Sequence, residues 1–430
     1  MRQFLLTGAA LAALITVPAH AKDAPEAPAP AATASAAEPG DASLPDDQSK
    51  NEIVVTASPL GVETPTIVTK VDRDQIVQAG GSNLADALAN VPGIASTGFA
   101  TGASRPVIRG MDATRVRVLE DGSSSSDVSD IGPDHGVPID PLAAQSIEVV
   151  RGAATLRYGS QAIGGVVNVL NNRVPTQLPT RSFGGEAIGS YATNADIWQG
   201  SLLADAKAGD FALHADGFYR HTGDYDTPLG TEANSFFHGY GGSLGGSYFF
   251  GPDDGSHIGI GVTHYDAQYG IPNDTVYIDM RQTKVMARSQ FDLGGGAIQS
   301  LRVDASYADY RHDEDNPDGS INSTFLNKEV DAELLFGRLG FIGSSALGVE
   351  IQHREFSAIG EDSTYLFPTT TQSEAAYLFT DIPLGDAFKI QASGRVESVH
   401  IEGTPASDVF TRRDFTPVSG AIGALLTLGR

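Results

Sequence analysis

The chain has 430 residues, 49 of them glycine and none cysteine, so neither a disulfide framework nor thiolate metal chemistry is open to it. Its formal net charge of −25 argues against nucleic acid and against phosphate-rich ligands that need a basic cleft. Acidic loops can concentrate cations, although scattered carboxylates can equally do no more than keep loops solvated.

At the N-terminus, Arg2, an apolar run from Phe4 to Val17 and Ala19-His20-Ala21 predict a secretory leader over residues 1–21, cleaved to leave a mature chain starting near Lys22. The run is shorter than the roughly 20 residues a spanning helix needs, and no later stretch is long and apolar enough either. An exported chain of this kind is soluble or a β-barrel, and 41% hydrophobic residues, 8% aromatics and abundant glycine favour the barrel. Residues 22–50 are rich in Ala, Pro, Glu, Asp and Ser and predict a disordered linker. It leads into Asn51-Glu52-Ile53-Val54-Val55-Thr56-Ala57, a β-prone island able to add to another protein's sheet edge, though any small domain can also begin with a strand.

An α+β pattern occupies residues 59–178. Val71-Asp72-Arg73-Asp74 before Gln75-Ile76-Val77 reads as a strand running into a helix, and Asn83 to Leu88 as a second helix stopped by Pro92-Gly93. Arg115 to Gly122 and Ile147 to Gly152 read as strands ending in turns. From 179 to 430 the pattern becomes period-two. Leu301, Val303, Ala305 and Tyr307 alternate with Arg302, Asp304 and Ser306; Phe388, Ile390, Ala392 and Val396 alternate with Lys389, Gln391, Ser393 and Arg395. One oily and one wet face suit a barrel wall around a watery lumen, and about a dozen such segments run near the roughly 9 to 11 residues that cross a bilayer. A large soluble β-sandwich alternates too; strand length and the leader favour the membrane.

Arg109-Gly110-Met111-Asp112, VRVLEDG and IEVVRGAATLRYGSQAIGGVVNVL resemble the plug-domain signatures of TonB-dependent outer-membrane receptors, and the match covers nearly the whole plug. The resemblance implies an α+β plug domain followed by an antiparallel transmembrane β-barrel in the outer membrane of a Gram-negative bacterium. It implies a TonB box over residues 51–58, in which Glu52, Ile53, Val54, Val55, Thr56 and Ala57 are gripped by TonB, whose inner-membrane complex pulls the plug. No covalent chemistry and no cofactor are implied. Gly152, Gly159, Gly164 and Gly165 punctuate strands where backbone must turn or approach a wall. Arg151 and Arg157 are candidates to hold carboxylates of the barrel wall through bidentate pairs, solvated surface arginines being the alternative.

The stretch Asp127 to Pro141 is similar to the corresponding segment of TonB-dependent zinc receptors, in which an Asp-His pair at the plug apex ligates zinc. Here the pair is Asp134 and His135. Carboxylate and imidazole suit Zn²⁺, which accepts oxygen and nitrogen and usually takes four ligands. Glu314, with His312 as the alternative, is the expected barrel ligand from Tyr310-Arg311-His312-Asp313-Glu314; a solvated acidic loop is the competing reading of these residues. The zinc group often carries a histidine-rich loop after Tyr-Gly-Ile-Pro, whereas Tyr269-Gly270-Ile271-Pro272 continues here with Asn273-Asp274-Thr275-Val276. That departure leaves open another divalent metal, a siderophore or other metal chelate, or a surface binding protein that transports nothing.

The family's barrel has roughly twenty-two strands. With about a dozen segments and no aromatic residue ending Thr427-Leu428-Gly429-Arg430, the sequence is expected to be a fragment that forms no working transporter alone.

Overall fold

The structure, a computed structural model, describes residues 67–339, 344–364, 366–385, 387–405 and 408–426. The expected leader, linker and TonB box, and the first residues of the plug, lie outside this range.

The plug begins with β1 (Ile67–Asp72) and α1 (Arg73–Ala79). Asp72 caps the helix in a reciprocal box with Gln75, each side chain meeting the other's backbone N–H at 3.0 Å, and Gly80 ends it in the left-handed conformation. Asn83 caps α2 (Leu84–Ala87). There follow β2 (Ile94–Ser96), β3 (Pro106–Ile108), β4 (Val116–Glu120), β5 (Ser123–Ser124), β6 (Ser146–Arg151) and β7 (Gly165–Leu170). The central sheet has the order β1-β6-β7-β4-β5, with β4 and β7 parallel.

Both faces of that sheet are covered. Val118, Ile147, Val149, Val167 and Val169 pack under Ile76, Leu84 and Leu88, while Leu119, Val150, Val166 and Tyr158 pack against Leu335, Ala346, Tyr377 and Phe379 of the barrel wall. Double burial explains why β7, GVVNVL, reads as a nearly unbroken apolar run instead of alternating.

The wall is one antiparallel sheet of thirteen strands. They are β8 (Phe183–Ala192), β9 (Ile197–Ala208) and β10 (Phe211–Thr222), then, after a small hairpin of β11 (Asp226–Thr227) and β12 (Gly230–Thr231), β13 (Phe237–Phe250), β14 (Ser256–Gly270), β15 (Tyr277–Asp292), β16 (Ser300–Asp315), β17 (Ile321–Leu339), β18 (Ser344–Gly360), β19 (Thr369–Pro383), β20 (Phe388–Gly403), β21 (Thr411–Phe415) and β22 (Val418–Leu426). Each pairs with its neighbour; β21 and β22 both pair with β20, and the sheet is open among the described residues.

Alternation follows the expected face assignment. Val330, Leu334, Val349, Ile351 and Val396 are exposed on the outside, whereas Glu329, Ser373, Gln391 and Arg395 are buried on the inner face. Trp198, Tyr191, Tyr219 and Tyr240 stand outward near the end with the long connections, and Phe211, Tyr248, Phe250 and Phe291 at the other, in the manner of interfacial girdles. Strand length departs from expectation: β13 to β18 run 14 to 19 residues, beyond the roughly 9 to 11 that span hydrocarbon. The long strands wall in the plug apex, with the ends of β16 and β17 beside the loop from Asp127 to Pro141.

Candidate metal centre

The apex loop is held by backbone demands that glycine meets. A Cβ on Gly132 would lie 2.5 Å from an Asp134 carboxylate oxygen, and one on Gly136 would lie 2.4 Å from the Gly102 carbonyl. Tyr269 fixes the loop from the barrel side: the Gly136 N–H donates to its hydroxyl at 2.7 Å, and that hydroxyl donates to the Asp134 carbonyl at 3.0 Å. His135 is thus pinned on both flanks by one fully buried phenol.

The imidazole of His135 is buried, and its Nδ1 lies 3.1 Å from the Val128 carbonyl. A carbonyl only accepts, so Nδ1 carries the proton and Nε2 of the neutral ring keeps a free lone pair. That nitrogen stands 3.7 Å from Asp134 Oδ1 and 3.7 Å from Glu314 Oε1. Burial pushes the imidazole's pKa down, but the Glu314 contact, the Asp134 charge and the Val128 carbonyl together lift it above the ordinary value.

In β16, Tyr310, His312 and Glu314 sit at alternate positions and therefore share the lumenal face. His312 is fully buried; its Nδ1 is 2.9 Å from the Tyr310 hydroxyl, and its Nε2 has no hydrogen-bond partner among the described residues. The Tyr310 hydroxyl can donate to or accept from Nδ1; in the tautomer protonated at Nδ1, the orphaned Nε2 offers a lone pair. The two imidazoles meet at 4.6 Å between centroids, and Phe325 of β17 lies against both, at 4.7 Å from His135 and 4.5 Å from His312.

His135, His312 and Glu314 can each present one donor atom so that all three lie within 4.8 Å of one another. Asp134 joins at the rim with 32% of its side chain exposed. An oriented imidazole whose second nitrogen is held by a carbonyl or hydroxyl is the usual arrangement behind a metal ligand. The structure therefore gathers His135, Glu314 and His312 at one point, with Asp134 at the rim 3.7 Å from His135 Nε2; His312 stands beside Glu314 as a partner, where the sequence offers it as a substitute. Tyr269 stands out in the sequence only as part of a motif, because nothing local says where its hydroxyl ends up. Replacing Tyr269 by Phe removes only that hydroxyl and frees the loop; metal affinity is expected to fall about tenfold, as when other outer-sphere partners are lost, while the barrel's melting is unchanged. Metal titration beside thermal unfolding checks it.

The two candidate clamp arginines differ. Arg157 reaches the wall: its Nε and Nη2 lie 3.3 and 3.0 Å from the two oxygens of Glu333, which also takes Arg302 at 3.0 Å and the Tyr377 hydroxyl. Arg151 does not. It donates to the Pro92 carbonyl at 3.2 Å and to Thr69 Oγ1 at 2.8 Å, both inside the plug, because β6 lies beside the edge strand β1, where Arg151 pairs with Ile67. Clamps without a sequence signal are Arg220, fully buried and 3.0 Å from each oxygen of Asp140, and Arg173, which holds Glu120 of the plug and Asp216 of β10. Gln282, Lys284, Asn327 and Arg354 add hydrogen bonds from the wall to backbone carbonyls of residues 124–127.

A small α+β cork bonded inside a curved antiparallel wall is the architecture of a plugged outer-membrane receptor. Residues 61–166 match the TonB-dependent receptor plug domain, and the fold is that of the TonB-dependent receptors. Among solved structures, the copper transporter OprC superposes with a TM-score of 0.72 at 16% identity, over 85% of this chain and 61% of that one. The ferric citrate transporter FecA gives 0.65 at 19% identity, over 85% and 61%. The FrpB iron transporter of Neisseria meningitidis gives 0.68 at 15% identity, over 84% and 61%. This chain thus spans about three fifths of the length of each of these receptors.

Proposed function

We infer that the protein works in the outer membrane of a Gram-negative bacterium as a receptor that imports a divalent metal ion, best matched by Zn²⁺, through a plug moved by TonB. The observation that carries this reading is the meeting of His135, His312 and Glu314, with the buried His312 Nε2 left without a partner among the described residues. Two imidazoles and two carboxylates form a donor set for a borderline cation; magnesium and calcium prefer oxygen alone, and the chain has no thiolate for a soft ion. Two of these donors, Asp134 and His135, belong to the plug, and the other two belong to β16. A pull that displaces the apex loop would separate the pairs and release the ion, which ties dissociation to TonB.

A second reading, import of a metal chelate, has in its favour an open cavity of about 420 Å³ over the site, larger than a bare ion needs. Relatives named for iron, ferric citrate and copper transport keep both readings within the family's range. Titration of the full-length protein with Zn²⁺ and with ferric citrate separates them: tight Zn²⁺ binding is expected, and ferric citrate binding without Zn²⁺ binding would reverse the assignment.

Acidification is expected to weaken Zn²⁺ binding. The metal must displace any proton on His135, whose pKa is raised, so affinity falls about tenfold per pH unit below that pKa and is level above it. Titrations from neutral to mildly acid pH read the slope directly; a flat profile would mean that His135 is no ligand.

A further inference from the structure

On the inner face of β17, Phe325, Asn327, Glu329, Asp331 and Glu333 follow one another at alternate positions, starting from the Phe325 ring that lies against His135 and His312. Phe325 and Asp331 are therefore about 20 Å apart along the strand. Three cavities lie along this column between plug and wall. The one over the donor cluster is lined by Phe325; the next, of about 290 Å³, by Asp127, Asp130 and Glu329; the third, of about 40 Å³, by Asp331. The second and third share Arg117, Ser124 and Tyr158 in their walls.

Asp331 differs from the other carboxylates on this part of the wall. Arg157 holds Glu333, Arg395 holds Glu350, Arg288 holds Asp304, and Glu329 accepts from the Gln352 amide at 2.7 Å. Both carboxylate oxygens of Asp331 are buried, and no donor reaches either of them among the described residues. Directly across from it on β16 is Ser306, 6% exposed, whose Oγ is also buried without a partner. Across on β18 is Gln352, which turns its amide to Glu329 instead. Three oxygens on two facing residues are thus left unmet, and the charges that act on Asp331 are Glu329, Glu350 and Arg117, two like and one opposite. A buried carboxylate without a donor is costly, and a cation is a ligand that removes the cost.

We propose that Asp331 and Ser306 form a second cation site, on the exit side of the plug, which a divalent ion released from the apical cluster occupies on its way down the inner face of β17. This rests on the reading of His135, His312 and Glu314 as a metal site. The second site offers oxygen alone, so a borderline ion that has left two imidazoles is held there more weakly. Weak holding suits a point of passage, because an ion must leave each site as readily as it enters. Asp309, two residues beyond Tyr307 on the outward face of β16, is an exposed carboxylate of the same wall and supplies the control.

Uptake of radioactive Zn²⁺ by cells carrying the full-length protein tests this, with Zn²⁺ binding and thermal unfolding measured on the same variants after purification. Asp331→Asn is expected to slow uptake about tenfold, the scale on which a focused charge raises the local concentration of an ion. Its Zn²⁺ affinity at the apical cluster stays as in the wild type, and its melting temperature does not fall, because the change removes a buried charge that nothing holds. Ser306→Ala is expected to slow uptake in the same direction, and Asp309→Asn to leave it unchanged. Normal uptake in Asp331→Asn would overturn the proposal and give these oxygens a proton or a water instead, with the apical site untouched. Slow uptake accompanied by a lower melting temperature, or equal slowing by Asp309→Asn, would reduce the effect to packing or to general charge and overturn it as well. A wild-type protein that binds no Zn²⁺ would remove the apical site, and this one with it.

Discussion

Replacing Asp134 and His135 together by alanine is expected to lower Zn²⁺ affinity by about a hundredfold or more and to abolish metal-dependent uptake. Loss of an outer-sphere partner alone costs about 10- to 100-fold, and this variant deletes two donors outright. The backbone contacts of Tyr269 to Asp134 and Gly136 are made by main-chain atoms and survive the change, so the apex loop keeps its path. His312→Ala serves as the companion: it removes the orphaned Nε2 from the opposite side without touching the plug. Equilibrium dialysis with Zn²⁺ on the full-length protein and its variants gives the measurement. Unchanged binding in the double variant would dismiss the metal assignment and leave the receptor fold standing.

The second large effect concerns how the plug is held. Asp140→Ala strands the guanidinium of Arg220, only 1% exposed, with Gln199 as its remaining side-chain partner. Breaking a buried pair from one side costs about 3–5 kcal/mol. Asp140 also caps the turn over Pro141–Ala143 by accepting the Leu142 N–H at 2.7 Å, which adds about 1 kcal/mol. Hydrogen exchange across the plug strands is therefore expected to speed up by about a hundredfold or more, with the barrel strands unaffected. The double change Asp140→Leu with Arg220→Met removes both charges and is expected to restore most of the protection. If Asp140→Ala leaves exchange as in the wild type, the pair is no clamp.

Much of the fold can be read along the chain because the signals are local. The box of Asp72 and Gln75, the cap at Asn83 and the stop at Gly80 act within a few residues and give the plug helices directly, whereas the second helix ends at Ala87, before the Pro92-Gly93 pair expected to stop it. Alternation of Leu301 to Tyr307 and of Phe388 to Val396 gives the wall and its two faces, since a strand has no other way to separate oil from water. Strand ends are harder to place. Alternation continues wherever one face meets the plug, so nothing in the sequence marks where lipid stops.

The candidate site divides along the same line. Asp134 with His135, and His312 with Glu314, are each near neighbours in the chain, and the donor chemistry of each pair follows from residue type alone. Arg151 cannot be told from Arg157 in that way, because they lie six residues apart at and just beyond the end of one strand, and only the folded arrangement decides that one ends against β1 and the other against Glu333. Arg220 looks like an ordinary charge on an alternating segment, since burial depends on what packs across from a residue and not on its neighbours in the chain.

Capping, period and donor chemistry are properties of short segments, so the helices, the two faces of the wall and the chemical types that a metal would need are written in the order of the residues. Only the folded molecule brings a plug loop and a barrel strand together so that those donors come within reach of one ion. The same packing lets Tyr269 steady the loop. Convergence, burial and pairing depend on the register of distant strands closing around the plug, and no local stretch of chain carries that information.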